Sequence, residues 1–232
     1  MEINDLNQEE YLYHQAQSIG IELSEIKIKQ FIIYLKELKE WNSKINLTRI
    51  IDDKEIIDRH FIESLMYALF FKFKEGIEVV DIGSGAGFPG LPLKIDKPGI
   101  RLTIVERNKK KQAFINNVVR KIGSKLEGMF ADITEPSKKY DVIVIRGVDI
   151  NESLIKKIAN ITKDNGILTL KSSSKLEENL NILIKYNFFE RKDFKVNSQT
   201  KPLDRKKIDY TKEENCIRMF LFHMKQKKEK GE

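Results

Sequence analysis

The sequence predicts an α/β fold in which several helices precede a mostly parallel sheet with helices on both faces. Up to about residue 75 the apolar residues recur at helical spacing, and from Glu78 short apolar runs alternate with amphipathic stretches. Three glycines follow the first apolar run, where a strand must turn sharply into a helix. With 232 residues, the chain is long enough for one such domain and a small helical addition.

The N-terminal part of the chain is predicted to be helical. Over residues 24–41 the apolar side chains share one face, and lysines and glutamates occupy the other. A similar stripe predicts a helix over residues 55–71, and the polar segment 42–48 between them is expected to be irregular. The expected organisation is a helical segment at 1–75 packed on a core, the core itself at 76–224, and a basic tail at 225–232.

Seven strands are predicted in the core, most of them separated by helices. The strands are residues 78–82, 102–106, 126–131, 140–145, 166–171, 188–194 and 216–224. The helices are residues 109–121, 152–161 and 176–186. The last two strands are joined by the basic loop 201–207, which shows no helical pattern. This predicts a hairpin, and therefore one antiparallel strand in the sheet.

Composition and charge are compatible with an intracellular protein. The formal net charge is +7 and the sequence pI is about 9.2, and such a basic excess is compatible with a polyanionic partner, although many basic proteins bind no nucleic acid. The single cysteine, Cys216, cannot form an intramolecular disulfide. The acidic N-terminus lacks the features of a signal peptide, and the apolar stretch 64–73 is too short to span a membrane. We expect a cytoplasmic, monomeric protein without membrane contact.

A glycine-rich turn follows the first predicted strand of the core. Its sequence is Asp81-Ile82-Gly83-Ser84-Gly85-Ala86-Gly87. The three glycines, Gly83, Gly85 and Gly87, permit a tight turn and allow a ligand to approach the backbone closely. A helix is expected to begin near Pro89, because proline suits the first turn of a helix.

Two carboxylates flank this turn. Glu106 ends the next strand, 19 residues after Gly87, where a carboxylate can accept hydrogen bonds from both ribose hydroxyls of an adenosine. Asp81 can hold the loop amides or the ammonium group of an amino-acid cofactor. We therefore expect S-adenosylmethionine as cofactor and S-adenosylhomocysteine as product. Segment 85–90 also matches G-x-G-x-x-G, which leaves a nicotinamide site or a structural turn as alternatives.

Further candidate residues follow the third and fourth strands. Asp132, Ile133 and Thr134 are expected to flank the adenine, although Asp132 also suits the capping of a turn. Arg146 is the candidate for positioning the substrate, because its planar guanidinium can grip a phosphate or a base edge. His60 is a candidate substrate contact, with a packed, hydrogen-bonded histidine as the alternative.

A second group of candidates is basic. Lys109, Lys110 and Lys111 open a predicted helix, and together with residues 205–207 they are candidate phosphate contacts, with solvated surface as the alternative. Lys171 ends the fifth predicted strand and is a further candidate for substrate binding. No residues have metal-ligand spacing, and no metal is expected.

The residues after the fourth strand narrow the class of methyl acceptor. Methylases of exocyclic base amines commonly carry Asn or Asp-Pro-Pro-aromatic there, whereas this chain has Arg146-Gly147-Val148-Asp149. Methylation of pyrimidine C5 needs a thiolate nucleophile, and Cys216 lies in a late strand away from that edge. A ring nitrogen such as guanine N7 needs neither device, because its lone pair attacks the methyl group directly and no proton has to leave.

Three motifs occur in order along the chain. They are Trp41-Asn42 with Asn46-Leu47-Thr48, then Arg59-His60-Phe61-Ile62-Glu63-Ser64-Leu65, and then the glycine turn extended by Phe88-Pro89-Gly90-Leu91-Pro92-Leu93. Together they resemble the RsmG (GidB) family, bacterial methyltransferases acting on guanine N7 in 16S ribosomal RNA. The resemblance covers nearly the whole chain and implies the Rossmann-like class I methyltransferase fold. It also implies an RNA substrate presented in a small ribosomal subunit or its precursor, and cofactor contacts at Gly83, Phe88, Ile133, Thr134 and Arg146.

Five positions depart from the pattern of that family. Asp132 and Thr134 stand where the family has Arg and Glu, Glu63 replaces an aspartate, Gly147 an alanine and Ser172 a glycine. These departures leave open a methyltransferase of the same fold that acts on another RNA or on a protein. A third hypothesis is a non-catalytic RNA-binding assembly factor that retains the fold.

Overall fold

The computed structural model describes residues 5–135, 137–171, 182–186, 188–197 and 216–224. The N-terminal helices are α1 (Asp5–Ser18), α2 (Glu25–Ile45), α3 (Asp53–Ile56), a π-helix (Ile57–Ile62), α4 (Glu63–Leu65) and α5 (Tyr67–Phe70). The helices between strands are α6 (Gly90–Asp96), α7 (Lys109–Lys121) and α8 (Glu152–Ile161). Residues 182–185 form one further helical turn.

Seven strands form one sheet. They are β1 (Glu78–Ile82), β2 (Arg101–Val105), β3 (Gly128–Phe130), β4 (Tyr140–Ile145), β5 (Thr162–Lys171), β6 (Phe188–Asn197) and β7 (Cys216–Met224). Their order is β3-β2-β1-β4-β5-β7-β6. Neighbours from β3 to β5 pair in parallel, whereas β7 is antiparallel to both β5 and β6. The predicted fold class, with its single antiparallel strand, is confirmed.

The helices of the core begin at side-chain caps and bury one face. The Oδ1 atom of Asn108 accepts hydrogen bonds from the backbone N–H groups of Lys110 and Lys111 at the start of α7. Asn151 caps α8 in the same way by accepting from Leu154 N–H. Both helices have the predicted bounds, because a cap and an amphipathic stripe coincide at each.

Successive residues of the central strands face two different hydrophobic cores. In β1, Val79 packs with the N-terminal helices, α6 and α7, whereas Val80 packs with α8 and β7. Polar contacts also hold the N-terminal helices to the core. Glu37 of α2 accepts hydrogen bonds from Asn117 and Lys121 of α7. The N-terminal helices therefore cover one face of the sheet, and the proposed division at residue 75 remains a prediction.

The structure corrects two predictions about the N-terminal helices. Helix α2 continues to Ile45, and the side chain of Asn42, expected to lie in an irregular segment, accepts hydrogen bonds from the N–H groups of Leu47 and Thr48 beyond the helix end. The single helix predicted over residues 55–71 is interrupted by a π-helix, in which the N–H of Glu63 donates to the carbonyl of Asp58, five residues back.

All seven predicted strands are present, but some begin or end at residues other than those predicted. β5 begins at Thr162, four residues before the predicted start, and β3 is shorter than predicted. The predicted loop 201–207, the tail 225–232 and the first part of the helix predicted at 176–186 lie outside the described residues. Within the described ranges, no helix is both long and apolar enough to cross a membrane. The same ranges contain no cluster of three or more side chains suited to holding a metal ion.

Candidate functional site

The glycine-rich turn lies at the carboxyl end of β1. Gly83, Gly85 and Gly87 have φ angles of 71°, 63° and 95°, which L-residues with a side chain rarely adopt. The N–H of Gly83 donates to the carbonyl of Val105 at 2.8 Å, which ties the turn to the end of β2. Helix α6 begins directly after Pro89, close to the predicted start.

Asp81 is buried beneath the turn. Its Oδ2 accepts hydrogen bonds from the Ser84 hydroxyl at 2.5 Å and from the Gly90 N–H at 2.9 Å. Its Oδ1 has no hydrogen-bond partner among the described residues. Burial raises the pKa of Asp81 to about 7, an effect that these hydrogen bonds and the charge of Arg146 oppose. The carboxylate thus holds the loop amide of Gly90 from beneath the turn.

The raised pKa of Asp81 predicts a dependence of stability on pH. A carboxyl whose pKa is higher in the folded than in the unfolded state favours folding while it is protonated, so this contribution disappears as the pH rises from about 4 to about 7. We expect the free energy of unfolding in urea to fall by up to ~4 kcal/mol over that range. Asp81→Asn should remove this fall, and an identical pH profile in the variant would contradict the assignment.

Glu106 lies just beyond β2, with only 7% of its surface exposed. Its Oε2 accepts a hydrogen bond from the N–H of Gly85 at 2.9 Å, and its Oε1 accepts one from the N–H of Asn108 at 2.8 Å. The carboxylate is therefore fixed between the glycine turn and the start of α7. Each oxygen has a second lone pair that can accept a hydrogen bond from a hydroxyl group.

The residues after β3 divide into one buried and two exposed. Ile133 is 5% exposed and belongs to the core that contains α8. Asp132 and Thr134 are exposed, and Asp132 accepts hydrogen bonds from both the N–H and the hydroxyl of Thr134. These hydrogen bonds lower the pKa of Asp132. Asp132 therefore caps a tight turn, and Ile133 presents an apolar surface beside it.

Arg146 follows β4 and contacts the π-helix and α4 of the N-terminal segment. Its Nη2 donates to the carbonyl of Arg59 and lies 3.2 Å from both His60 Nδ1 and Glu63 Oε2. Its Nη1 is 3.5 Å from the hydroxyl of Ser64. The side chains of Arg146 and Glu63 are only 15% and 11% exposed, so this is a largely buried ion pair.

Phe88 lies between this polar group and the rest of the turn. The ring of His60 stacks on it with centroids 4.6 Å apart, and the guanidinium of Arg146 lies 5.8 Å from its centroid. On its other side it stacks with Tyr34 of α2, whose hydroxyl donates to the carbonyl of Ala86. The Tyr67 hydroxyl donates to the carbonyl of Ile145 at the end of β4. The order of the strands reverses between β1 and β4, and an open sheet has a crevice at the carboxyl ends of such strands. The N-terminal segment thus forms one wall of this crevice.

The sequence pattern gave no role in the site to Tyr34, Glu63, Ser64 or to Thr48, whose hydroxyl oxygen lies 2.8 Å from Nε2 of His60. Thr48, Glu63 and Ser64 lie within the motifs that resemble the RsmG family, and those motifs were the only sequence signal for their role. Tyr34 belongs to an amphipathic stripe, where its hydroxyl gives no sequence signal. Of the basic candidates, Lys109–Lys111 open α7, shortly after Glu106. Lys171 ends β5, and its side chain lies outside the described part of the structure.

Comparison with known families identifies the chain. The family described as rRNA small subunit methyltransferase G matches residues 27–208, which include the turn, Glu106, the π-helix and Arg146. The chain belongs to this family. The predicted family, the predicted enzyme class and the predicted cofactor, S-adenosylmethionine, are thereby confirmed.

Two members of the methyltransferase G family illustrate how similar this chain is to its relatives. The protein named ribosomal RNA small subunit methyltransferase G of Oceanobacillus iheyensis is 34% identical over 180 residues, covering 75% of this chain and 76% of that protein. Its namesake in Clostridium beijerinckii is 44% identical over 109 residues, covering 47% and 46%.

Solved structures share the fold at low sequence identity. The ribosomal protein L11 methylase of Lactobacillus delbrueckii subsp. bulgaricus matches with a TM-score of 0.55 at 13% identity, covering 72% of this chain and 79% of that one. The [4+2]-cyclase SpnF matches with a TM-score of 0.58 at 15% identity, covering 90% and 99%. Because a methylase and a cyclase have the same fold, the fold alone does not define the reaction or its substrate.

Proposed function

We propose that this protein transfers a methyl group from S-adenosylmethionine to N7 of a guanine in 16S ribosomal RNA, as a monomer in the cytoplasm. The observation that carries the proposal is the arrangement at the carboxyl edge of the sheet. The glycine turn is held there by two buried carboxylates, and Phe88, which follows the turn, lies against the largely buried Arg146. Membership of the methyltransferase G family supports RNA as the substrate class.

The residues of the turn fit the chemistry of the cofactor. Among the described residues, a Cβ atom at Gly85 would meet only the carbonyl oxygen of Gly83, at 4.0 Å, which leaves open space above the turn. We assign the cofactor's ammonium group to Oδ1 of Asp81, which has no hydrogen-bond partner among the described residues, and its ribose hydroxyls to Glu106. Gly83, Gly87, Phe88 and Ile133 complete the proposed site, with Asp132 and Thr134 at its exposed rim.

The surroundings of the acceptor fit a reaction that needs no general base. When bound, S-adenosylmethionine supplies an electrophilic methyl group on a sulfonium centre, and the N7 lone pair can accept it without loss of a proton. Both ring nitrogens of His60 have partners, and Asp81 holds the glycine turn. Arg146, which Glu63 and the carbonyl of Arg59 hold in place, is assigned to position the acceptor, so that alignment and fixed charge provide the rate.

The lysines that open α7 are proposed to contact RNA phosphates. Lys109 and Lys110 are exposed and Lys111 is half-buried, and the side chains of Lys110 and Lys111 have no acidic partner within the described residues. We expect the triple alanine variant to bind RNA at least 10-fold more weakly and with a shallower salt dependence. The affinity for S-adenosylhomocysteine should be unchanged, and an equal loss of both affinities would instead indicate misfolding.

The proposal is tested by identifying the methylated nucleoside. The purified protein is incubated with labelled S-adenosylmethionine and either small ribosomal subunits or naked 16S RNA that lack its own modification, and the product is analysed by mass spectrometry. One N7-methylguanine at a single site supports the proposal, and the substrate form accepted shows whether ribosomal proteins help to present it. Label on a protein, or on a different nucleoside, would contradict guanine N7 as the acceptor and identify the true one.

Failure of all transfer has a different meaning. If calorimetry then showed that S-adenosylmethionine still binds, another RNA or protein would become the acceptor to seek, a possibility that the exposed Asp132 and Thr134 leave open. If the cofactor did not bind either, a non-catalytic role in ribosome assembly would be favoured.

A further inference from the structure

The ring of His60 contacts three different groups at the wall of the crevice. It stacks on Phe88 at 4.6 Å between centroids, its Nδ1 lies 3.2 Å from Arg146 Nη2, and its Nε2 lies 2.8 Å from the hydroxyl oxygen of Thr48. The side chain is 9% exposed. These contacts hold the ring on both edges and on one face, so they fix its orientation. A residue that only fills space would not need polar contacts on both edges.

The partners of the ring determine where its proton lies. A guanidinium only donates hydrogen bonds, so the nitrogen facing Arg146 must be the unprotonated one. In a neutral imidazole the proton is then on Nε2, which donates to Thr48. The Thr48 oxygen also accepts a hydrogen bond from the N–H of Ile50, so it acts as an acceptor in both contacts.

We infer that His60 is a positioning residue that aims the guanidinium of Arg146 across Phe88 through its unprotonated Nδ1. The inference rests on the proposed function, in which Arg146 positions the methyl acceptor. Glu63 supplies the countercharge of Arg146 and the carbonyl of Arg59 accepts from the same Nη2, whereas His60 adds a neutral acceptor that helps to fix this nitrogen without adding charge. Thr48 in turn holds His60, and so connects the loop after α2 to the acceptor side of the crevice.

Two substitutions separate aiming from stacking. His60→Phe keeps a ring on Phe88 but removes the acceptor, whereas His60→Asn places an amide oxygen near the position of Nδ1 and removes the ring. If His60 aims Arg146, His60→Phe lowers kcat/KM for RNA about 10- to 100-fold, and His60→Asn recovers most of that loss. If His60 only packs, the order is reversed, with His60→Phe active and His60→Asn impaired. The reversed order overturns the inference, as does equal impairment of both variants.

Two further measurements make the result independent of folding and of acceptor identity. Thermal unfolding and calorimetry with S-adenosylhomocysteine check that each variant is folded, and His14→Asn serves as a control at an exposed histidine. The ¹⁵N NMR spectrum of the wild-type protein should show His60 as the neutral Nε2–H tautomer, its signals assigned by their loss in His60→Asn. A protonated Nδ1 at a pH where the enzyme is active would overturn the inference. Absence of transfer to 16S RNA by the wild-type protein would instead refute the proposed function.

Discussion

Replacing Arg146 by alanine is expected to lower both the methyl-transfer rate and the stability of the protein. The change removes the group proposed to position the acceptor, and we expect kcat/KM to fall at least ~100-fold, as misplacement by about 1 Å does. It also leaves the carboxylate of Glu63, 11% exposed, without the cation that lies 3.2 Å away. Breaking a buried ion pair in this way costs about 3 kcal/mol. Steady-state kinetics and urea unfolding measure the two effects.

Companion variants separate the two contributions of Arg146. Arg146→Lys keeps the charge but loses the planar fork, so it should recover stability more than activity. Combining Arg146→Met with Glu63→Met removes both charges and should recover most of the stability while the enzyme remains inactive. Arg120→Ala, at an exposed arginine of α7, is the matched control and should change stability by less than about 0.5 kcal/mol. Full activity of Arg146→Ala would contradict the proposed role.

Replacing Gly85 by alanine is expected to abolish cofactor binding while leaving the fold intact. Its φ angle of 63° makes alanine unfavourable there by about 1 kcal/mol, and the new methyl group meets no neighbour closer than 4.0 Å. The methyl group instead fills the open space above the turn that the cofactor is proposed to occupy. We expect the affinity for S-adenosylhomocysteine, measured by calorimetry, to fall at least ~100-fold.

Gly20 provides the matched control for this substitution. It has a φ angle of 80° and no atom within 4 Å of a Cβ, and it lies in the turn between α1 and α2, away from the crevice. Gly20→Ala should therefore lose a similar ~1 kcal/mol of stability and bind the cofactor normally. Equal cofactor affinities in the two variants would show that the space above Gly85 is not the cofactor site.

The sequence predicted the elements whose signals are local. The bounds of β1, β4, α7 and α8 were predicted to the residue, because a mainly apolar run or a side-chain cap marks each of them. The two carboxylates that contact the glycine turn, Asp81 and Glu106, were also identified, since strand ends in a parallel sheet bring them to a common edge.

The contacts of Arg146 were not predictable in the same way. Arg146 lies 87 residues from Arg59 and 86 from His60, and polar pairing over such distances leaves no periodic pattern in one sequence. The π-helix was hidden as well, because one extra residue in a turn shifts the apolar stripe too little to be seen in a short window. The sequence therefore located the side of the crevice proposed to bind the cofactor, and only the structure located the wall proposed to face the acceptor.

The placement of β7 between β5 and β6 has a consequence for synthesis of the chain. The described part of β6 has no sheet neighbour other than β7, which comes after it in the sequence. A polypeptide that ends before Cys216, through a premature stop codon or during translation, therefore lacks two strands of the sheet instead of one. The order β3-β2-β1-β4-β5 is unaffected, so the nascent chain can assemble the half with the glycine turn early, and the opposite edge closes only after residues 216–224 leave the ribosome.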